Sequence, residues 1–252
     1  MAFLKSLLLI SILAAPATFA ANQDEVLSKL RTLRAATDYT ATGRLVRVSE
    51  SGERKSFGVS LRAHAFPDGL RIFCDVTSPA TERARMLLFT PAKGIASILT
   101  GHPGDHAPQE LPGGRWSESV LGSDFTYEDL LENYTSWASQ KLLPEVTYGA
   151  RTCLVLRSEP GPGDATQYAS ITTWLDHDNL CPVKVEKVLN GSGAVRAFTY
   201  YGLRQVRGVW SASQIESRLG NRKGSSFLIV SRGTEKPHLG SAAFDPALLV
   251  KP

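Results

Sequence analysis

The chain has 252 residues, and its 28 Lys and Arg against 24 Asp and Glu give a formal net charge of +4 at pH 7. This weak bias, with no basic run interleaved with aromatics, excludes a typical nucleic-acid-binding protein. It is compatible with a salt-screened attraction to anionic lipid head groups. The length is sufficient for one large β domain with a sizeable core.

Residues 1–20 have the pattern of a secretory signal peptide. They contain one early positive charge at Lys5, an apolar run from Phe3 to Ala15, and the small residues Thr18 and Ala20. The run is shorter than the roughly 20 residues that span a hydrocarbon core. We therefore expect cleavage near Ala20 and export of a single domain over 21–252.

A helix is expected from about 24 to 36, where Val26, Leu27, Leu30 and Leu33 form one apolar face. After it the pattern changes to the two-residue alternation of β-strands, separated by turn sequences. The last two strands of this group lose the alternation around Met86–Phe89, which predicts strands covered on both faces. The strands of this group are expected at about 39–48, 55–65, 70–77, 85–90 and 95–100.

A second helix is expected from about 126 to 141. Thr126 and Asp129 have the spacing of a capping box, and Leu130, Tyr134 and Trp137 recur at helical spacing before Pro144. Further strands follow at about 146–158, 168–176, 181–189, 194–206, 209–217 and 225–231. The total of ten or eleven strands and two helices indicates a mainly β (α+β) chain.

The three cysteines are Cys74, Cys153 and Cys181, so at most one internal disulfide can form. Cys153 and Cys181 are expected on strands that flank an intervening strand. Two strand spacings separate such residues by roughly 10 Å, beyond the ~7 Å limit for bridged Cα atoms. We expect small, buried, apolar cysteines instead.

The segment GSDFTYEDL at 122–130 closely resembles a motif of the outer-membrane lipoprotein-sorting proteins, the LolA-like family. Other pieces that match the family occur in the same order, and together they span most of the chain. They are DYTATGRLV at 38–46, RARMLLFTP at 83–91, YASITTWLDHDNLCPVKVE at 168–186 and FDPALL at 244–249.

The resemblance implies a single strongly curved antiparallel sheet that forms an unclosed half-barrel, with helices over its concave face. It also implies a periplasmic carrier that binds lipid or lipoprotein acyl chains and passes them between envelope components. An inner-membrane envelope transporter or an outer-membrane acceptor would then be its partner. The alternative is a periplasmic protein-interaction or regulatory module that uses the same fold without lipid cargo.

Catalytic and cofactor motifs are weak in this sequence. His102, Asp105 and His106 form the strongest cluster, but they lie in a loop rich in Gly and Pro with no further ligand pair nearby, so we interpret them as a polar loop and not a metal site. No serine occupies a GxSxG elbow, and no glycine loop for phosphate is present. We expect neither an enzyme nor a cofactor.

An apolar sheet face that is incompletely covered by two helices would leave a cavity, and acyl chains bind without specific polar contacts. The candidate cavity residues come from the alternating strands, from the run that loses alternation, and from the second helix. They are Phe57, Val59, Leu61, Leu70, Ile72, Phe89 and Trp137.

Overall fold

The structure is a computed structural model that describes residues 22–206, 209–235 and 237–252. The expected signal peptide lies outside the described residues, and the expected domain over 21–252 stays a prediction. Within the described part of the chain, no helix is long and apolar enough to cross a membrane.

One α-helix, α1, spans Gln23–Ala35, as the apolar spacing predicted. The side chain of Asn22 caps its start by accepting a hydrogen bond from the Asp24 amide, which otherwise has no partner in the first turn. Val26 and Leu27 are buried, and they pack on Leu154, Leu156 and Leu175. Leu33 was expected on the same buried face, but it is 53% exposed.

The strands follow the sequence alternation closely, and the predicted bounds of most of them are correct within two residues. Fifteen strands occur in the described residues: β1 Asp38–Val48, β2 Arg54–Phe66, β3 Gly69–Ser78, β4 Arg85–Pro91, β5 Ser97–Gly101, β6 Gln109–Glu110, β7 Ser139–Tyr148, β8 Arg151–Glu159, β9 Tyr168–Asp176, β10 Pro182–Leu189, β11 Val195–Tyr201, β12 Arg204–Val206, β13 Val209–Ser211, β14 Gln214–Leu219 and β15 Ser225–Glu235.

Thirteen of these strands form one sheet in the order β6-β5-β4-β3-β2-β1-β15-β14-β11-β10-β9-β8-β7. Strand β15 returns to pair antiparallel with β1 and so joins two meanders into one sheet. The edges β6 and β7 do not pair with each other. The predicted fold class, mainly β with one curved, unclosed antiparallel sheet, is confirmed.

Three of the predicted strands are subdivided. The expected strand 146–158 contains a tight turn at Gly149, whose φ of +61° favours glycine, so it belongs to the hairpin of β7 and β8. The expected strands 194–206 and 209–217 each break in the middle. Their inner ends form a separate two-stranded sheet of β12 and β13, which projects from the main sheet.

The predicted helix over 126–141 is wrong. The capping box itself forms, because the Thr126 amide donates to Asp129 Oδ2 at 2.8 Å and the Asp129 amide donates to Thr126 Oγ1 at 3.3 Å. It closes only a 3-10 turn at Glu128–Leu130, however, and Glu132 then adopts a left-handed φ of +46°. A left-handed residue ends a helix, and β7 begins at Ser139 where a helix was expected.

The segment that replaces this helix, residues 111–138, runs from β6 to β7, and we call it the crossover segment. Its apolar side chains pack on one face of the sheet, which we call the inner face. Leu111, Val120 and Leu131 contact the β3–β5 region through Cys74, Met86, Leu88 and Ile98. Phe125, Tyr134 and Trp137 pack with Phe57, Tyr168 and Phe198 from strands on both sides of β1.

Strands β3 and β4 are covered on both faces, as the loss of alternation predicted. The crossover segment covers Cys74 and Leu88 on the inner face. The outer cover is not a helix of the predicted pair but the C-terminal segment, where Phe244 and Leu249 pack on Phe73 and Leu87. The crossover segment therefore provides the inner cover that had been expected from the second helix, and the C-terminal segment covers the outer face.

The three cysteines are free in the structure. Cys74 and Cys153 are buried, as predicted, and Cys181 is half-buried. Strand β9 lies between the strand of Cys153 and the start of β10, next to Cys181, as the geometric argument required.

Replacing Trp137 with Ala should lower the free energy of unfolding by about 3–5 kcal/mol, because the indole is buried and stacks edge-on against Tyr134 with ring centroids 6.4 Å apart. Denaturant unfolding measures the change. Ile95→Ala is the control, since Ile95 is 89% exposed and its replacement should change stability by less than about 0.5 kcal/mol. An unchanged midpoint in the Trp137 variant would show that the crossover segment packs differently.

Candidate functional site

Three charged side chains meet on the inner face of the sheet, and we call them the buried ionic cluster. Asp129 of the crossover segment accepts a hydrogen bond from Lys187 Nζ of β10 at 2.8 Å and one from Arg196 Nη1 of β11 at 3.0 Å. The side chain of Asp129 is only 2% exposed. The Tyr168 hydroxyl donates to the same carboxylate at 2.6 Å, so both carboxylate oxygens have several donors.

Aromatic rings surround the Lys187 ammonium. The rings of Tyr134, Tyr168 and Phe198 lie with their centroids 5.5, 5.3 and 4.7 Å from its Nζ atom. Such faces attract a cation electrostatically, and they partly replace the water that Lys187 loses on burial. The cluster thus combines one carboxylate with two cations in an environment that also stabilises the excess positive charge.

Burial by itself would raise the pKa of Asp129. The charges of Lys187 and Arg196, together with the hydrogen bonds from Lys187 and Tyr168, outweigh that effect and hold the pKa below its usual value. Burial and the Asp129 charge raise the pKa of Tyr168, so its hydroxyl stays protonated and donates. A carboxylate that is ionised at neutral pH and fully paired is suited to holding structure and not to transferring protons.

The other polar residues of the signature 122–130 also anchor the crossover segment. Arg47 of β1 donates to the Gly122 carbonyl at 3.3 Å, and Asp124 accepts from the Ser226 hydroxyl of β15 at 2.8 Å. Glu128 accepts from the Thr166 hydroxyl and from the Gln167 amide before β9. Glu128 and Asp129 therefore bind different partners, and the segment 122–130 acts as a set of tethers.

A cavity of about 810 Å³ opens between α1, the start of β1 and the end of β15. Its wall is mostly aliphatic and aromatic and comes from both meanders. A second cavity of about 270 Å³ adjoins it and shares the lining residues Leu30, Leu33 and Leu180. The principal apolar residues of the larger cavity are Leu30, Leu33, Leu61, Leu180, Tyr200, Trp210, Ile215, Leu228 and Val230.

The end of α1 is tied to the crossover segment beside these cavities. Arg34 donates to the carbonyl of Glu132 at 2.6 Å and to that of Leu131 at 3.4 Å. Burial lowers the pKa of Arg34, and the Glu132 charge opposes that change. These two contacts satisfy carbonyls that the left-handed turn at Glu132 removes from helical bonding.

Polar groups also line part of the cavity wall. Burial raises the pKa of Tyr200 well above its usual value and that of the Cys181 thiol to about 11, so both groups are neutral. The Asp38 carboxylate accepts from His64 Nδ1 at 3.0 Å and from the amides of His238 and Leu239. A large cavity whose wall is mostly apolar fits hydrocarbon.

Solved structures of similar fold cover most of this chain. They include a DUF1329 family protein from Desulfovibrio piger (TM-score 0.82, 15% identity, 89% of this chain and 96% of that one). A putative outer membrane lipoprotein-sorting protein domain from Vibrio parahaemolyticus has a TM-score of 0.78 and 20% identity over 90% of this chain and 99% of that one. A LolA superfamily protein from Nitrosomonas europaea has a TM-score of 0.70 and 17% identity over 91% and 100%.

A family model described as that of an uncharacterized protein matches residues 74–250. The chain belongs to the family that this model describes, and its fold is LolA-like. No curated protein matches it. At these identities the structural likeness establishes the LolA-like fold, and the chemistry of the cavity must be argued from this chain's own residues.

The structure distributes the predicted cavity residues of this LolA-like chain over different places. Leu61 lines the larger cavity, and Leu70 and Ile72 line the smaller one. Phe57 and Trp137 are buried in the packed core, with Val59 against them. Phe89 lies on the outer face, where its ring stacks with the Arg71 guanidinium at 4.5 Å, because it pairs with Arg71 in the register of β3 and β4.

Sequence reasoning missed two features of the site. It did not predict that the late strands of the chain line the cavity, and it did not predict the buried ionic cluster. One signal was present for the cluster: Lys187 stands in the inward phase of a strand in which Val183 and Val185 are buried. A cation at an inward position requires a buried partner. No comparable signal pointed to Ile215 or Leu228, whose place in the cavity depends on how far the crossover segment reaches.

Two other places on the LolA-like fold are weaker candidates. The His102 imidazole lies 3.3 Å from Asp105 in an exposed loop, and within the described ranges no group of three or more His, Cys, Asp or Glu side chains could hold a metal ion. A shallow, solvent-open groove of about 580 Å³ lies on the outer face between Phe66, Arg71 and Phe244. Neither the loop of His102 nor this groove encloses an apolar cavity.

Replacing Asp129 with Asn should lower the free energy of unfolding by about 3–5 kcal/mol, because it leaves two buried cations without their counter-ion and turns an amide towards donors. Asp178→Asn is the matched control, since the Asp178 side chain is 92% exposed. Denaturant unfolding at neutral pH measures both. Equal stability of the two variants would contradict the role of the cluster.

Comparison of wild type with Asp129→Asn also tests how the stabilising effect of Asp129 depends on pH. The folded-state pKa of Asp129 lies below its unfolded value of about 3.9, so its stabilising effect is present above that pH and is lost as the pH falls through the folded-state pKa. The difference in stability between wild type and Asp129→Asn should therefore shrink as the pH is lowered from 7 to below about 4. A difference that stays constant over this range would contradict the lowered pKa.

Proposed function

We propose that this protein is a periplasmic carrier that binds lipid or lipoprotein acyl chains in the cavity beneath α1 and passes them between envelope components. The observation that carries the proposal is the mostly apolar cavity of about 810 Å³, which adjoins a second of about 270 Å³, in a fold whose neighbours include a putative outer membrane lipoprotein-sorting protein domain. An inner-membrane transporter or an outer-membrane acceptor would supply or receive the cargo.

Energetics support hydrocarbon as the cargo. Burial of one methylene group is worth about 0.8 kcal/mol, so a long acyl chain gains roughly 10 kcal/mol before entropic and desolvation costs. The wall offers Leu61, Ile215, Leu228 and Val230 for such contacts. In the wall, Tyr200 and the Cys181 thiol are neutral and Asp38 already has three donors, so an apolar chain displaces no strong hydrogen bond from them.

The environments of Asp129 and Cys181 support a binding role and not a catalytic one. The carboxylate with the strongest electrostatic environment, Asp129, is engaged by Lys187, Arg196 and Tyr168 in contacts that hold the fold. The Cys181 thiol in the cavity wall has a raised pKa, so it is a poor nucleophile. The sequence expectation of a binding protein and not an enzyme is therefore retained.

Replacing Leu61 with Glu tests the proposal, because a carboxylate in the cavity wall must be desolvated against an acyl chain. We expect the affinity for a fluorescent fatty acid to fall at least tenfold, more than the loss of stability explains. Ile95→Glu is the matched control, because Ile95 is 89% exposed and does not line the cavity.

Displacement of the bound fluorophore and denaturant unfolding should be measured on the same preparations. Mass spectrometry of lipid that copurifies with the mature wild-type protein would identify the cargo. Equal binding by wild type and Leu61→Glu, or a loss in proportion to unfolding alone, would count against cargo in this cavity. That result would favour a protein-interaction or regulatory module of the same fold.

A further inference from the structure

Four exposed residues surround the opening of the large cavity, and we call them the rim. Leu33 at the end of α1 and Trp210 in β13 are 53% and 39% exposed, although large apolar side chains are usually buried. Arg204 in β12 and Arg232 in β15 are also exposed. All four line the cavity, although they come from separate parts of the chain.

Some charged side chains at this opening have partners that offset their charge, and others have none within the described part of the chain. Asp38 has three hydrogen-bond donors, and the Glu132 charge acts on Arg34 beside it. Apart from the backbone pairing of their strands, the side chains of Arg204 and Arg232 make no hydrogen bond or ion pair with a described residue, and both residues are exposed, so their positive charges face solvent. The opening therefore combines exposed apolar side chains with uncompensated positive charge, in a chain whose overall charge is +4.

We propose that the rim docks on an anionic lipid bilayer and places the open cavity against the membrane surface. Trp is favoured at the boundary between hydrocarbon and head groups, and a nearby Arg or Lys is attracted to an anionic leaflet. A bilayer requires only shallow apolar insertion, whereas a stable protein interface buries about 1,200–2,000 Å². Leu33 and Trp210 supply the insertion, and Arg204 and Arg232 supply the charge complementarity.

The proposal rests on the proposed function, because a docked opening serves to exchange cargo with the bilayer. It adds the lipid bilayer as a partner, the rim as the face that contacts it, and an orientation of the protein on the membrane. The cavity would face the membrane, and the turns at 49–53 and 220–224, which lie at the opposite ends of β1 and β15, would face away from it.

Flotation of the mature protein with vesicles of phosphatidylglycerol and phosphatidylethanolamine tests docking, with phosphatidylcholine vesicles as the uncharged comparison. We expect binding to the anionic vesicles that weakens at high salt, since exposed charges are screened. The double variant Leu33→Ser/Trp210→Ser and the double variant Arg204→Gln/Arg232→Gln should each reduce the partition coefficient about tenfold or more.

Matched controls carry the same chemical changes away from the rim. Arg54→Gln/Arg222→Gln removes two exposed charges at the opposite end of the sheet, and Ile95→Ser removes an exposed apolar side chain outside the cavity. Both controls should bind vesicles like wild type. Folding of every variant is checked by its unfolding midpoint, so that loss of docking is not confused with loss of structure.

Several results would overturn the inference. They are an absence of wild-type binding to anionic vesicles at low salt, equal losses in rim and control variants, or equal binding to phosphatidylcholine. Wild-type protein that binds soluble fatty acid but no vesicle would refute docking and leave the carrier function standing, with a protein as the partner of the rim. Protein that binds vesicles but no fatty acid would refute the carrier function instead.

Discussion

The ion pairs of Asp129 with Lys187 and Arg196 are the interaction on which the rest of this structure depends. They hold the crossover segment, which connects the edge strands β6 and β7, against the inner face of the curved sheet. Desolvating three charges is costly, and the cost is offset because the carboxylate has donors on both oxygens and the ammonium lies among three aromatic rings. The segment fixed in this way fills one part of the inner face and leaves an apolar space beside it.

The position of that space follows from where the crossover segment is tethered. Its polar anchors reach β9–β11 through Asp129 and β15 through Asp124, and its apolar side chains fill the inner face next to them. At the end of the sheet where β1 begins and β15 ends, the segment contributes only Glu132 to the wall of the large cavity. Helix α1 borders the cavity there, and it buries just Val26 and Leu27 of its own residues. The cavity is thus the part of the inner face that neither segment is long enough to fill.

Local sequence patterns predicted the strands well, because the alternation of Phe57, Val59 and Leu61 depends only on which side of a strand faces the core. They failed for residues 126–141 for a long-range reason. Thr126 and Asp129 do form the capping box that the spacing indicated. The Asp129 carboxylate is also bound by Lys187 and Arg196, 58 and 67 residues further along the chain, and Arg34 holds the carbonyls of Leu131 and Glu132. These contacts favour short turns over a continuous helix.

Local patterns are also insufficient to predict the cavity. The alternation places Phe57 and Leu61 on one face of the strand, but it does not show that the crossover segment covers Phe57 and leaves Leu61 in the cavity wall.

The division of the inner face into a filled half and an open half has a mechanical consequence. The filled half combines the buried ionic cluster with Phe57, Trp137 and Tyr168, and separating it would expose unpaired charges as well as a large apolar area. The open half is bounded by α1, which is secured mainly by two buried side chains, by Arg34 and by the bond from the Leu142 amide to the Gln23 side chain. Local opening follows the region with the smallest buried area and the most exposed hydrogen bonds. Movement that admits a bulky apolar ligand is therefore expected at α1 and not at the crossover segment, so that the sheet keeps its curvature while the opening changes.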